Sequence, residues 1–244
     1  MSGIWRVSVE AGLQAERQLL ERVHAGEDEW GLLLWRPIDS ALVMPRRLSR
    51  LPGFTAADIG CAASGWPIAL RDTGGEPVPQ SSAVLNVALA YVVPAQESDR
   101  ERIETAYLRL CEPIRQWLRG YGLLPGLGEV AGAFCDGRFN VTLARRKLVG
   151  TAQRWRRRSL DGRLVVLVHG AILVEDQREA MVEVVNRFYR SCGLPQHCRA
   201  ASHVALEEWL TAPWESASSL ANWFEAPWEA WSPAKASSNQ VVVY

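Results

Sequence analysis

The 244-residue sequence lacks a net charge, because 27 lysine and arginine residues balance 27 aspartates and glutamates. A neutral chain gives no electrostatic reason to bind nucleic acid or an acidic membrane, so we expect neither as a partner. Long hydrophobic runs are also missing, and no apolar stretch approaches the ~20 residues that cross a bilayer. With 48% hydrophobic and 22% charged residues, the composition is typical of a folded globular protein.

The sequence has only five cysteines. Their odd number and irregular spacing do not fit a disulfide framework. The five positions are Cys61, Cys111, Cys135, Cys192 and Cys198. The first ten residues have no charged segment followed by an apolar core, so we expect no secretory signal. We expect a reducing, cytoplasmic location. Cys192, His197 and Cys198 are close in sequence, but three ligands without a fourth do not predict a zinc site, and we expect no metal.

Apolar periodicity predicts the secondary structure. Helices are expected over 9–24, 98–121, 175–192 and 202–210, and Ser98 with Glu101 has the spacing of a capping box. Strands are expected over 31–35, 41–44, 66–71, 83–93, 129–134, 139–143 and 163–174. Glycines and prolines argue against regular structure across 72–79.

The predicted strands arrive mostly in pairs joined by short turns, with helices between the pairs. This order predicts an α+β fold with a mixed, largely antiparallel sheet and flanking helices. Residues 1–211 are expected to form the main folded domain. Residues 212–244, rich in tryptophan, proline and serine, are expected to form a tail whose apolar end, 241–244, docks on the body or stays mobile.

Three separated segments carry a recognisable pattern. The first contains Arg71, Thr73, Gly74, Gly75 and Val78, the second contains Lys147, Gly150, Thr151 and Ala152, and the third contains His169 and Gly170. In this order, about 70 and then about 20 residues apart, they resemble the catalytic domain of the biotin/lipoate protein ligase family, which includes lipoate-protein ligases and octanoyltransferases. Asp72 and Glu76 depart from that pattern, replacing an arginine and a glycine, and Gln80 stands where a histidine is common. The lost positive charge predicts a weaker grip on phosphate.

The resemblance implies a fold related to class II aminoacyl-tRNA synthetases and the transfer of a lipoyl or octanoyl group to a lysine. It gives Lys147 the role of polarising the acyl carbonyl, and gives the glycine loops, His169 and Gly170 roles around the acyl chain. Asn140 belongs to a segment that also resembles the Gly-Arg-Asn motif of ATP-dependent ligases. The alternative without a catalytic role is an ordinary surface lysine for Lys147 and an ordinary core histidine for His169.

Cys135 lies twelve residues before Lys147, between a predicted strand and a glycine turn. It resembles the nucleophile of cysteine-type octanoyltransferases, which lies on the loop just before the lysine-bearing strand, although the separation here is a few residues shorter. Thiolate attack requires a cation such as Lys147 or Arg138 to lower the pKa of the thiol. An inert buried thiol is the other interpretation of Cys135.

Eight basic residues fall within positions 145–163. We expect a solvated basic hairpin, and the resemblance implies that it steers an acidic lipoyl-type acceptor domain toward Lys147.

Three functions remain open from the sequence. A transferase takes the acyl chain from an acyl-carrier protein through Cys135 and needs no cofactor. A ligase activates free lipoate with ATP and Mg and needs no thiol, and a non-catalytic module binds the acyl group without turnover. The position of Cys135 and the charge-poor loop favour the transferase.

Overall fold

The computed structural model describes residues 3–224 apart from 96, 98 and 99. Its strands are β1 (Trp5–Val7), β2 (Trp30–Pro37), β3 (Ala41–Pro45), β4 (Ile68–Arg71), β5 (Val78–Gln80), β6 (Val84–Val92), β7 (Gly126–Leu127), β8 (Val141–Leu143), β9 (Arg146–Arg157) and β10 (Leu164–Leu173). Its α-helices are α1 (Val9–Ala25), α2 (Phe54–Ala63), α3 (Arg102–Gly120), α4 (Arg178–Ser191) and α5 (Pro213–Ser218).

The strands form two sheets. A seven-stranded sheet has the order β1-β2-β6-β10-β9-β8-β7, and a three-stranded sheet has the order β4-β3-β5. The β1–β2 and β3–β4 pairs are parallel and the other pairs are antiparallel. The predicted α+β class with a mixed, largely antiparallel sheet and flanking helices is therefore confirmed.

Alternation along the strands gives the large sheet two apolar faces, because successive side chains of a strand point to opposite sides. On β2, Leu32 and Leu34 contribute to a core cluster beneath α3, whereas Leu33 and Trp35 belong to a second cluster beneath α1. Full burial of each such side chain stabilises the fold by about 1.5–3 kcal/mol. The small sheet packs with α2 and α4 around a third cluster.

Helix α1 follows the predicted boundaries because both ends are capped. The Ser8 hydroxyl accepts a hydrogen bond from the Ala11 amide at 3.2 Å, and Gly26 ends the helix with φ 85°, a left-handed conformation that favours glycine. Helix α3 begins at Arg102, and the predicted cap Ser98 lies outside the described residues.

The sequence order suggests that strand 31–35 pairs with 41–44 and that 66–71 pairs with 83–93, and neither pair forms. Strand β3 does not pair with β2, and β4 does not pair with β6, because one member of each expected pair belongs to the small sheet. The segment 72–79 is not irregular throughout. Val78 begins β5, which pairs with β3 because its side chains face a buried apolar cluster.

Two predicted elements near the C-terminal half are also wrong. Residues 129–134 form turns instead of a strand, since Gly132 adopts φ 81° and the backbone bonds to other segments. Residues 202–210 contain 3-10 turns at Ala200–Ser202 and Leu206–Glu208 instead of an α-helix. In the predicted tail, α5 and the buried residues Leu220 and Phe224 pack in the core, whereas 225–244, with the predicted docking segment 241–244, lie outside the described residues. The boundary at 211 stays a prediction.

No helix among the described residues is both long enough and apolar enough to span a membrane.

Candidate active site

Lys147 is buried at the start of β9. Its side chain is only 3% exposed, and Nζ donates hydrogen bonds to the carbonyl oxygens of Phe134 at 2.6 Å and Cys135 at 2.7 Å. Burial lowers the pKa of the ammonium, and the nearby Cys135 opposes that shift. A Cβ on Gly150 would lie 2.9 Å from Nζ, so glycine at this position makes room for the lysine to fold inward. Lys147 is therefore a fixed interior cation.

Cys135 lies on an irregular loop that meets the first glycine loop. Its backbone has φ 51°, an uncommon left-handed conformation for a residue with a side chain. The half-buried Sγ accepts the Glu76 amide proton at a distance of 3.3 Å. A Cβ on Gly75 would lie 2.8 Å from Sγ, so the two loops meet at van der Waals distance only because residue 75 is glycine.

The shape of the cysteine loop is fixed by side chains within and beside it. Asp136 Oδ1 accepts the Val130 amide proton at 2.6 Å and an Asn140 side-chain proton at 3.2 Å. The Thr151 hydroxyl donates to the Phe139 carbonyl at 3.0 Å. The predicted residues Asn140 and Thr151 thus hold the loop that presents Cys135.

Arg71 organises the first glycine loop. It is 7% exposed, and Nη2 donates to the carbonyl oxygens of Gly74 at 2.9 Å and Glu76 at 3.1 Å. Its buried Nε has no hydrogen-bond partner among the described residues. Arg71 therefore orders the turn around Gly75 and carries a spare donor at the cavity that Cys135 also lines.

A buried polar chain connects α1 with the two glycine motifs. His169 Nδ1 lies 2.8 Å from the Glu16 carboxylate, and Nε2 lies 3.0 Å from the Thr73 hydroxyl. Glu16 also accepts the Trp35 indole proton at 3.0 Å. Burial raises the pKa of Glu16, but the charge and hydrogen bond of His169, with the Trp35 bond, outweigh burial and lower it.

Three adjoining cavities lie at the site and are lined by strands of both sheets. One touches Cys135, His169 and Trp35, and one touches Lys147. These two share the walls Val78, Gly150 and Ala171. A third cavity shares Leu13, Glu16 and Arg71 with the first and is lined further out by arginines of α1 and β9.

The fold brings the three predicted segments together. Val78, Ala152 and Gly170 line the cavity walls. A Cβ on Gly170 would lie 3.1 Å from a Val149 side-chain carbon. At Gly74 a Cβ would meet open space. This residue contributes its carbonyl oxygen, which accepts a hydrogen bond from Arg71. Glu16 and Trp35 were not predicted, although a glutamate one turn from Leu13 on the apolar face of α1 is a signal that indicates a buried partner.

His203 is the other site residue that the sequence did not reveal. It is 1% exposed, and its Nε2 accepts the Phe134 amide proton at 3.2 Å. An α-helix over 202–210, as predicted, would give the His203 side chain a different orientation. No local pattern in the sequence links His203 to Phe134, which lies 69 residues away.

Several arginines of the predicted basic hairpin pair with carboxylates, and the steering role stays a prediction. Arg156 pairs with Glu21, Arg158 pairs with Asp161, and Arg163 pairs with Glu29 and Asp161. The carboxylates therefore offset much of the positive charge that the sequence concentrates there.

Among the described residues, no group of three or more His, Cys, Asp or Glu side chains is arranged to hold a metal ion.

Comparison with known proteins agrees with this geometry. The family model described as the lipoyl protein ligase A/B catalytic domain matches residues 8–215. The chain belongs to this family. The predicted family and the predicted enzyme class, a lipoyl or octanoyl transferase or lipoate-protein ligase, are confirmed.

Individual proteins resemble the chain to different extents. An uncharacterized protein of Cupriavidus necator is 34% identical over 224 residues, which cover 80% of this chain and 87% of that protein. An octanoyl-GcvH:protein N-octanoyltransferase of Kyrpidia tusciae is 35% identical over 146 residues, which cover 58% of this chain and only 49% of that enzyme. The solved structure of a putative lipoate protein ligase from T. acidophilum shares the fold with TM-score 0.67 and 17% identity, covering 94% of this chain and 86% of that one.

Proposed function

We propose that the protein transfers an octanoyl or lipoyl group to a lysine of a lipoyl-type acceptor domain through a thioester on Cys135. The observation that carries the proposal is the contact between the cysteine loop and the buried Lys147 ammonium, whose Nζ lies 2.7 Å from the Cys135 carbonyl oxygen. The nucleophile and the cation line two adjoining cavities that share walls.

The hydrogen bonds of Lys147 leave one donor for the substrate. An ammonium has three protons, and two are directed at the carbonyl oxygens of Phe134 and Cys135. The third is available to the oxygen of a bound acyl carbonyl. A preorganised charged donor of this kind stabilises the oxyanion that forms on nucleophilic attack.

The Glu76 amide supports the same chemistry from the other side. Its proton points at Cys135 Sγ, so a backbone donor orients the sulfur within the site.

The reaction then proceeds in two acyl transfers. The thiolate attacks the acyl carbonyl, a C–S bond forms, and the bond to the donor's nitrogen or sulfur breaks as the leaving group takes the proton that the thiol lost. The neutral amine of the acceptor lysine attacks the thioester, a C–N bond forms, and the C–S bond breaks. The proton released by the amine returns to the Cys135 thiolate.

The first glycine loop supports a transferase over an ATP-dependent ligase. Arg46 donates to Asp72 at 2.7 Å, and Arg47 donates to Glu76 at 2.6 Å. Asp72 and Glu76 thus pair with Arg46 and Arg47 beside the turn, which disfavours a triphosphate there, because phosphate binding needs uncompensated positive charge. No step is therefore assigned to ATP or Mg.

The relatives suggest the donor. The K. tusciae enzyme is named for transfer from octanoyl-GcvH to another protein. By this likeness, an octanoylated GcvH-type protein is the proposed donor, with an acyl-carrier protein as the second, and a lipoyl domain is the acceptor.

Intact-protein mass spectrometry tests the proposal. The purified chain is incubated with a lipoyl acceptor domain and one of three donors: octanoylated GcvH-type protein, octanoyl-acyl-carrier protein, or lipoate with ATP and Mg. We expect acyl mass on the acceptor with a protein donor and none with Cys135→Ser, whereas the matched buried variant Cys61→Ser keeps transfer. Acceptor modification only with lipoate and ATP indicates the ligase, and no modification with any donor indicates the binding module. Full transfer by Cys135→Ser contradicts the thioester route.

A further inference from the structure

His203 touches the cysteine loop from a segment that contributes no other side chain to the proposed chemistry. Its ring stacks on Phe134 with centroids 4.1 Å apart and planes 23° apart. The Lys147 ammonium lies 5.5 Å from the centroid of the same Phe134 ring. The phenylalanine before Cys135 thus lies within reach of both the imidazole and the interior cation.

The hydrogen bonds of His203 and Lys147 fix three consecutive peptide units. The Phe134 amide donates to His203 Nε2 at 3.2 Å, and the next two carbonyls, those of Phe134 and Cys135, accept from Lys147 Nζ. These peptide units flank Cys135 on both sides. Together they determine its φ of 51° and hence the direction of Sγ.

The imidazole is itself held in one tautomer. Because Nε2 accepts a backbone proton, Nδ1 carries the hydrogen, and Nδ1 lies 3.1 Å from the Arg199 carbonyl oxygen that accepts it. Burial, with the charge of Lys147, lowers the pKa of His203 to about 3, so the ring is neutral at physiological pH.

The backbone of His203 is tied to the same lysine. Its carbonyl accepts a proton from Arg178 at 2.9 Å, and the next residue, Val204, donates its amide proton to the Lys147 carbonyl at 2.9 Å. The ring that holds Phe134 and the strand that carries Lys147 therefore cannot move independently.

From these contacts we infer that His203 is a positioning residue for the proposed nucleophile, holding the Phe134 peptide so that Cys135 keeps its left-handed backbone and Lys147 keeps its aim. The inference rests on the proposed function. His203 acts through the loop and does not touch the substrate in this role.

Two substitutions separate the hydrogen bond from ring packing. His203→Gln can place an amide oxygen near the position of Nε2 and retain the bond to the Phe134 amide. His203→Phe keeps the ring volume and loses that acceptor. We expect kcat for acyl transfer to fall about tenfold or more in His203→Phe with little change in the donor KM, and to stay within about threefold in His203→Gln, because small misplacements of reacting groups reduce rates strongly.

Cys135 alkylation provides a second readout that is independent of turnover. Iodoacetamide labelling of the Cys135 peptide is followed by mass spectrometry, and the labelling rate should fall in His203→Phe and recover in His203→Gln. Val23→Ala, a fully buried change on α1 away from the loop, controls for a general loss of stability. Equal effects of Val23→Ala and His203→Phe at matched stability overturn the inference.

A third variant covers the case in which His203→Phe does not fold. The shorter amide of His203→Asn cannot reach Phe134, so this variant should label slowly, and labelling at the wild-type rate overturns the inference. Failure of the proposed function looks different. In that case Cys135→Ser retains transfer, whereas failure of this inference leaves transfer dependent on Cys135 but indifferent to His203.

Discussion

The two ends of β9 hold positive charge in contrasting ways. At the hairpin end, arginines such as Arg156 and Arg163 are paired with carboxylates at the surface, where such pairs contribute little to stability or function. At the other end, the Lys147 ammonium is buried and donates to carbonyl oxygens. A cluster of charged residues in the sequence therefore indicates less about function than two structural properties of each charge. These are whether a carboxylate already neutralises the charge and whether water reaches it.

The largest expected effect sharpens this contrast. Lys147→Met should reduce acyl transfer by about 10²–10³-fold, because one preorganised oxyanion donor is lost. The matched hairpin change, Arg156→Met, should leave transfer within about twofold. Single-turnover transfer, with circular dichroism to verify folding, measures both, and similar losses in the two variants would remove the distinction between the ends of β9.

A pH dependence of stability comes next in size. His203 has its pKa lowered from 6.5 to about 3 in the folded chain, so the unfolded chain binds a proton first as pH falls. The contribution of neutral His203 to the free energy of unfolding is complete above pH 6.5 and is lost progressively below it. The expected loss between pH 7 and pH 5 is about 2 kcal/mol. Urea unfolding at the two pH values should show this loss in wild type and not in His203→Gln.

The hairpin supplies the control for that measurement. Hydrogen bonds from Arg158 chiefly, with Arg163, lower the pKa of Asp161 below its ordinary 3.8. Its stabilising contribution is therefore lost only at pH values below the window measured. Asp161→Asn should keep the wild-type difference between pH 7 and pH 5, and a changed difference would assign the effect to the hairpin.

A smaller effect is expected at Gly150. In Gly150→Ala the new Cβ lies 2.9 Å from Lys147 Nζ, which displaces the ammonium from the proposed acyl oxygen. We expect kcat to fall about tenfold while KM changes little. Gly60→Ala on α2, where the nearest side-chain atom is 4.0 Å away, is the matched control and should transfer at the wild-type rate.

The smallest effect tests whether the hairpin steers an acidic acceptor. Because Arg156 and Arg163 are already paired, the double variant Arg156→Gln/Arg163→Gln should change the free energy of unfolding by less than about 1 kcal/mol and leave the acceptor KM within about twofold. The dependence of KM on salt should also be unchanged. A several-fold rise in KM that salt abolishes would restore the steering role implied by the resemblance.

Local pattern was sufficient for much of the fold. The periodicity of α1, α3 and α4 and the apolar runs of β2, β6 and β10 were predicted, because each of these elements buries a face whose spacing is written along the chain. The motif around Lys147 was also readable. Its interior position agrees with the role predicted for it, although the role itself stays a proposal.

Tertiary structure decided what local pattern does not encode. The segment 129–134 has strand-like apolar residues, but its backbone bonds go to Arg199, His203 and Lys147, so it forms the cysteine loop instead of a strand. Sheet assignment of β3 and β4 likewise depended on long-range pairing. A single sequence shows neighbours along the chain, whereas His203, Glu16 and the carboxylates that neutralise the hairpin act across the fold, where only packing brings the partners together.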